Sequence, residues 1–98
     1  MDKTLNYLGL ARRSRHLISG TDAVVSALQS QKLYLIVLAS DASNLTKDKI
    51  NNKAYFYKVP VITNYTSSEL SQATSLSSIV YGLDDKGFSE AILKDLKS

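Results

Sequence analysis

The chain has no cysteine and no tryptophan, and only one proline, one methionine and one histidine. Without cysteine it can have neither a disulfide framework nor a thiolate metal site. With His16 as the lone imidazole, a histidine-cluster metal centre is also excluded. Long apolar runs are missing too. The central run Leu33–Ala39 is far shorter than the roughly 20 residues a membrane-spanning helix needs. The opening MDKTLNYLGL carries no apolar signal core, so the expectation is a cytoplasmic protein with no membrane contact. No Gly-x-Ser-x-Gly elbow, phosphate-binding Gly-rich loop or dinucleotide fingerprint appears. The reading is therefore a non-catalytic protein with no cofactor, no metal and no small-molecule substrate.

Acid is absent from one stretch in particular: no carboxylate stands between Asp2 and Asp22. Within that gap lie Arg12, Arg13 and Arg15, all the arginines of the chain. The first sixteen residues carry Lys3 and these arginines against Asp2, which accounts for the whole formal net charge of +3. The remaining residues balance. Charge placed so unevenly is an argument about partners rather than about fold.

What is present suffices for one hydrophobic core. The chain has 98 residues, 44% of them apolar, and no linker, repeat or low-complexity tract, so residues 1–98 are expected to form a single domain. Thr4 to about Ser14 reads as a helix with Leu5, Leu8 and Ala11 on one face, interrupted by Gly9. Leu17–Ser19 reads as a short strand. Gly20-Thr21-Asp22 opens a second helix with Val24, Ala27 and Leu28 as its apolar stripe. The unalternating run Leu33–Ala39 fits a central strand covered on both faces. A third helix is expected over roughly Thr46–Tyr57 and a strand over Val59–Thr63, with Pro60 near its start. Thr66-Ser67-Ser68-Glu69 is a capping box that begins a short fourth helix. Ser78–Leu83 follows as a strand, and Asp84 and Asp85 are expected to cap a last helix with Phe88, Ile92 and Leu96 inside. Helices alternating with strands indicate an α/β fold with helices on both faces of the sheet.

Few residues suit catalysis. A general base needs a positioned partner, and none is evident for His16, so it reads as a surface histidine in a basic patch. The adjacent Asp84 and Asp85 could hold a metal but fit better as a cap, and Asp41 is read the same way. The six tyrosines are scattered through expected helices and strands; packing at the core edge suits them better than base stacking. Arg12, Arg13 and Arg15 offer planar multi-donor cations suited to phosphate. Gly20 and the free N–H groups of the following helix form an anion-binding element. Together they make a nucleic-acid surface; the alternative is a solvated basic helix end that complements its dipole.

LGLARRSRHLISGTDAVVSAL, then KLYLIVLASDAS, VPVI, SSELSQA and DDKGF, in this order, resemble the YlxQ-like bacterial members of the kink-turn-binding large-subunit ribosomal protein family. The resemblance runs over almost the whole chain. It implies a three-layer α/β/α sandwich around a four-stranded mixed sheet, and binding of structured RNA, ribosomal in the family's archaeal and eukaryotic members. Family members grip RNA with Gly-x-Asn-Glu-x-x-Lys at the start of the second helix. Here that motif reads Gly20, Thr21, Asp22, Ala23 and Ser26. Ionised Asp22 accepts but cannot donate, Ala23 reaches no base edge, and Ser26 removes a cation. The resemblance further implies Leu76, in the short uncharged loop Thr74–Ser78, as an apolar contact, and Lys32 as a family-like lysine ahead of the central strand. The expected RNA-binding set is thus Arg12, Arg13, Arg15, Gly20, Thr21, Asp22, Lys32 and Leu76, with the arginines supplying affinity through phosphates. The alternative is a protein-interaction module on the same fold that has lost kink-turn reading.

Overall fold

The computed structural model describes residues 2–97; residues 1 and 98 of the expected unit lie outside them. Nine elements follow in the order α1 (Lys3–Arg13), β1 (Leu17–Ser19), α2 (Thr21–Gln29), β2 (Leu35–Leu38), α3 (Asn44–Tyr57), β3 (Val61–Ile62), α4 (Ser67–Thr74), β4 (Val80–Leu83) and α5 (Lys86–Lys97). The alternation read from the sequence is present throughout. The expected strands are trimmed at their ends, Val59–Thr63 to Val61–Ile62 and Ser78–Leu83 to Val80–Leu83.

The strands form one mixed sheet in the order β1-β4-β2-β3. β4 runs antiparallel to both β1 and β2, while β3 lies parallel to β2. β2 is central because each of its four side chains is fully buried, Leu35 and Val37 on one face, Ile36 and Leu38 on the other. Each such side chain contributes about 1.5–3 kcal/mol of burial before entropy is counted. Leu35, Val37, Tyr81 and Leu83 pack beneath α1, α4 and α5 through Leu8, Ala11, Leu70 and Ile92. Ile36, Leu38 and Val80 pack beneath α2 and α3 through Val24, Leu28, Ile50 and Ala54. The result is a three-layer α/β/α sandwich, as the resemblance implied.

Local chemistry sets where the helices begin. Asp2 caps α1, Ser43 caps α3, and Thr66 with Glu69 forms the complete capping box of α4. Ser43 starts α3 two residues earlier than Thr46, the start expected from the sequence. Asp85 caps α5 by accepting from the Phe88 N–H at 2.8 Å. Asp84, expected to share that cap, instead binds His16. Asp41 caps no helix of its own. Its carboxylate accepts from the backbone N–H and the hydroxyl of Ser67, at the start of α4.

Candidate functional site

The arginine cluster sits where α1 ends. Arg12 and Arg13 occupy its last turn, where cations complement the negative end of the helix dipole. Arg15 follows in a left-handed conformation (φ 65°), its N–H donating to the Arg12 carbonyl at 3.1 Å. All three side chains are exposed, and among the described residues none pairs with a carboxylate. Arg12 and Arg13 line a depression of about 350 Å³ whose other wall is Ala73, Thr74 and Ser75, at the end of α4. The wall is close because Gly9 lets α1 approach: a Cβ there would lie 2.9 Å from the Ala73 carbonyl oxygen. The glycine that interrupts the apolar pattern of α1 is thus a packing requirement.

Gly20 makes the turn from β1 into α2 with φ 99° and ψ 148°, a conformation that disfavours any side chain. Its N–H is not free for a ligand, because it donates to the Val80 carbonyl at 3.0 Å. The backbone donors expected of Gly20 and Thr21 therefore move one residue on. No side chain caps α2, which leaves the N–H groups of Thr21, Asp22 and Ala23 at its positive end. The Asp22, Ala23 and Ser26 side chains are exposed.

The segment Ser75–Ile79 joins these two groups. Its first residue faces Arg12 and Arg13 across the depression, and its last precedes Val80, which holds Gly20. It is anchored by Tyr81, whose ring is fully buried and whose hydroxyl donates to the Leu76 carbonyl and accepts from the Ser78 N–H. Leu76 packs partly against the α1-side core, so it offers only part of its surface outward. Sequence reasoning missed Gly9, Tyr81 and Ser75. A tyrosine inside a fully buried strand needs a hydroxyl partner, which is the one signal that pointed to the loop.

Lys32 does not join the start of α2. It follows the C-terminal end of α2, about 12 Å or more along the helix from Thr21. His16 gains the positioned partner that the sequence did not supply: its Nδ1 lies 3.0 Å from Asp84 Oδ1, both groups partly exposed. Asp84 also donates its backbone N–H to the His16 carbonyl, so the pair fastens the start of β1 to the end of β4.

Tyr81 and Tyr65 are buried as expected of packing tyrosines, but Tyr34 and Tyr55 are exposed. No helix among the described residues is long and apolar enough to cross a membrane.

Comparison with known proteins agrees with this architecture. The sequence profile of the ribosomal protein L7Ae/L30e/S12e/Gadd45 family matches residues 2–92. RNA-binding protein YlxQ of Enterococcus faecium is 32% identical over 88 residues, 90% of this chain and 85% of that protein. RNA-binding protein YlxQ of Bacillus subtilis (strain 168) is 31% identical over 87 residues, 88% of this chain and 87% of its own. A solved structure of a Bacillus halodurans C protein of unknown function superposes with a TM-score of 0.95 at 34% identity, covering all of both chains. The Giardia lamblia 15.5kD RNA binding protein shares the fold, with a TM-score of 0.79 at 15% identity over 95% of this chain and 81% of that one. With a profile spanning nearly the whole sandwich and relatives of this identity over most of their length, the chain belongs to the ribosomal protein L7Ae/L30e/S12e/Gadd45 family, on its YlxQ-like side.

Proposed function

We propose that this protein is a non-catalytic RNA-binding protein of the cytoplasm that holds structured RNA of the kink-turn type, in or near the ribosome. The observation that carries the reading is the continuity of one surface. Unpaired Arg12 and Arg13 lead across Ser75 and Leu76 to the uncapped start of α2 at Gly20, Thr21 and Asp22. The two curated relatives named as RNA-binding proteins support it.

Each residue has a distinct task. Arg12, Arg13 and Arg15 meet phosphates with planar, multi-donor cations. The free N–H groups at the start of α2 meet a base acceptor. Asp22 accepts from a base edge that donates, such as a guanine amino group, and repels phosphate from that position. Leu76 covers an unstacked base with its outward part. Lys32 contacts only RNA long enough to run down α2.

The test is a titration against a kink-turn hairpin and the same hairpin with its G·A pairs replaced by Watson–Crick pairs. The wild type is expected to prefer the kink-turn, and Arg12→Glu with Arg13→Glu to weaken both RNAs by at least tenfold, since phosphate contacts dominate affinity. Equal binding to both hairpins would reduce the site to phosphate holding. No binding, or binding indifferent to charge reversal, would sink the RNA reading in favour of a protein-interaction module, as the exposed Asp22, Ala23 and Ser26 would then suggest.

A further inference from the structure

α3 carries more on its outer side than its packing explains. Ile50 and Ala54 face the core, and Tyr57 packs partly against it. Tyr55 and Phe56 point the other way and are 87% and 75% exposed. Together the two rings make a contiguous exposed apolar patch, the kind of surface that marks an interaction site. The Phe56 ring meets Tyr57 edge-on, with centroids 4.9 Å apart and planes at 82°. With Asn52, Lys58 and Pro60 these rings border an open concavity of about 760 Å³.

Cations frame the rings. Residues 44–60 carry Lys47, Lys49, Lys53 and Lys58 against Asp48 alone. Lys49 and Lys53 precede Phe56 by seven and three residues, which puts them on its side of the helix. Lys58 follows Tyr55 by three, and its backbone closes the helix in a left-handed turn. The patch lies apart from the arginine surface. Its neighbouring strand β3 is the opposite sheet edge from β1, three strand spacings or about 14 Å away.

We infer that this surface is a stacking platform for an unpaired RNA strand. Bases lie on the faces of Tyr55 and Phe56, Lys49, Lys53 and Lys58 meet the phosphates between them, and the Asn52 amide touches a base edge. Flat apolar faces interleaved with cations match planar bases joined by anions, and such stacking is tolerant of sequence. A second copy of the chain fits less well, because a two-fold axis through the patch would set these lysines against each other. The inference rests on the proposed function only in taking RNA as the natural strand; the platform itself is a separate site.

The experiment uses the whole protein and a labelled twelve-nucleotide oligouridine, followed by fluorescence anisotropy, with circular dichroism to verify folding. The decisive variant is Tyr55→Leu with Phe56→Leu, which keeps apolar bulk but removes the flat faces. It is expected to weaken oligouridine binding by roughly tenfold or more, and to leave the affinity for a kink-turn hairpin without single-stranded tails unchanged. Arg12→Glu with Arg13→Glu should show the reverse pattern. Failure of the hairpin titration alone would count against the α2 surface and leave the platform standing. Absence of oligouridine binding, or equal binding by the leucine variant, would overturn the platform. So would concentration-dependent dimers of the wild type that the variant abolishes, or an acidic protein held equally by both forms and displacing oligouridine.

Discussion

Asp41 works for a helix that begins twenty-six residues further along the chain. Its two carboxylate oxygens take the Ser67 N–H at 2.8 Å and the Ser67 hydroxyl at 2.7 Å. These bonds, the hydroxyl first and the backbone N–H second, hold the Asp41 carboxyl below its ordinary value of 3.8, with the charge of Lys47 adding a little. A depressed folded-state value stabilises the fold above the unfolded value, and that contribution is lost as pH falls through the folded one. The stability gap between wild type and Asp41→Asn, open at pH 6, should therefore close below pH 3.8. Thermal melts of the two proteins across this range check it; a gap that persists in acid would mean the carboxylate charge is not what fastens α4. Charge and capping preference made Asp41 recognisable as a helix-start residue in the sequence. Which helix it serves depends on β2 delivering it beside the α4 start, and no local pattern encodes that.

Between elements, the α1–α4 contact decides the shape of the candidate site. Gly9 places the α1 backbone so near Ala73 that a methyl group would meet the carbonyl oxygen. Gly9→Ala gains about 1 kcal/mol of helix propensity and loses about 1–3 kcal/mol to overpacking against backbone that cannot swing away. The expected net is a loss of about 1 kcal/mol, a fall of roughly 4–8 °C in Tm for a chain of this size. It should also weaken RNA binding, because Arg12 and Arg13 face Ser75 across the depression that this approach narrows. A variant that melts higher than wild type would show that α4 yields freely. The ends expected for α1 and α3, about Ser14 and Tyr57, fall within a residue of Arg13 and Tyr57, although no glycine marks them. Arg15, Gln31, Lys58 and Ser75 all take positive φ just after helices, in the left-handed position where glycine is usual. With no glycine there, the end of the apolar periodicity rather than a residue type marked where these helices stop.

At the scale of the whole molecule the distribution of charge matters more than its total. The net +3 sits in the first sixteen residues, and the fold carries most of it to the end of α1. If the three arginines neutralise about three phosphates, the slope of log K against log salt should be about −2 to −3. Arg12→Gln with Arg13→Gln should bring it toward zero by about 2. Kink-turn hairpin titrations at several salt concentrations measure this directly; an unchanged slope would place the phosphates elsewhere on the protein.

The amino-acid sequence determined the alternation of helices and strands, the burial of β2 on both faces, and the arginine cluster before Gly20. Each follows from local periodicity, capping chemistry or charge, which need no knowledge of distant partners. The resemblance carried by its motifs supplied the family and the layered sandwich. Only the tertiary structure decided that Gly20 gives its N–H to Val80, that Asp84 belongs to His16 rather than to α5, and that Lys32 stands beyond the far end of α2 from Thr21. Only packing revealed Tyr81 as the anchor of the loop linking Arg12 and Arg13 to α2, and Tyr55 and Phe56 as rings left outside the core. The physical reason is common to these cases. A side chain's chemistry belongs to its residue type, but its partner is chosen by which elements the sheet order and helix packing bring within hydrogen-bonding reach.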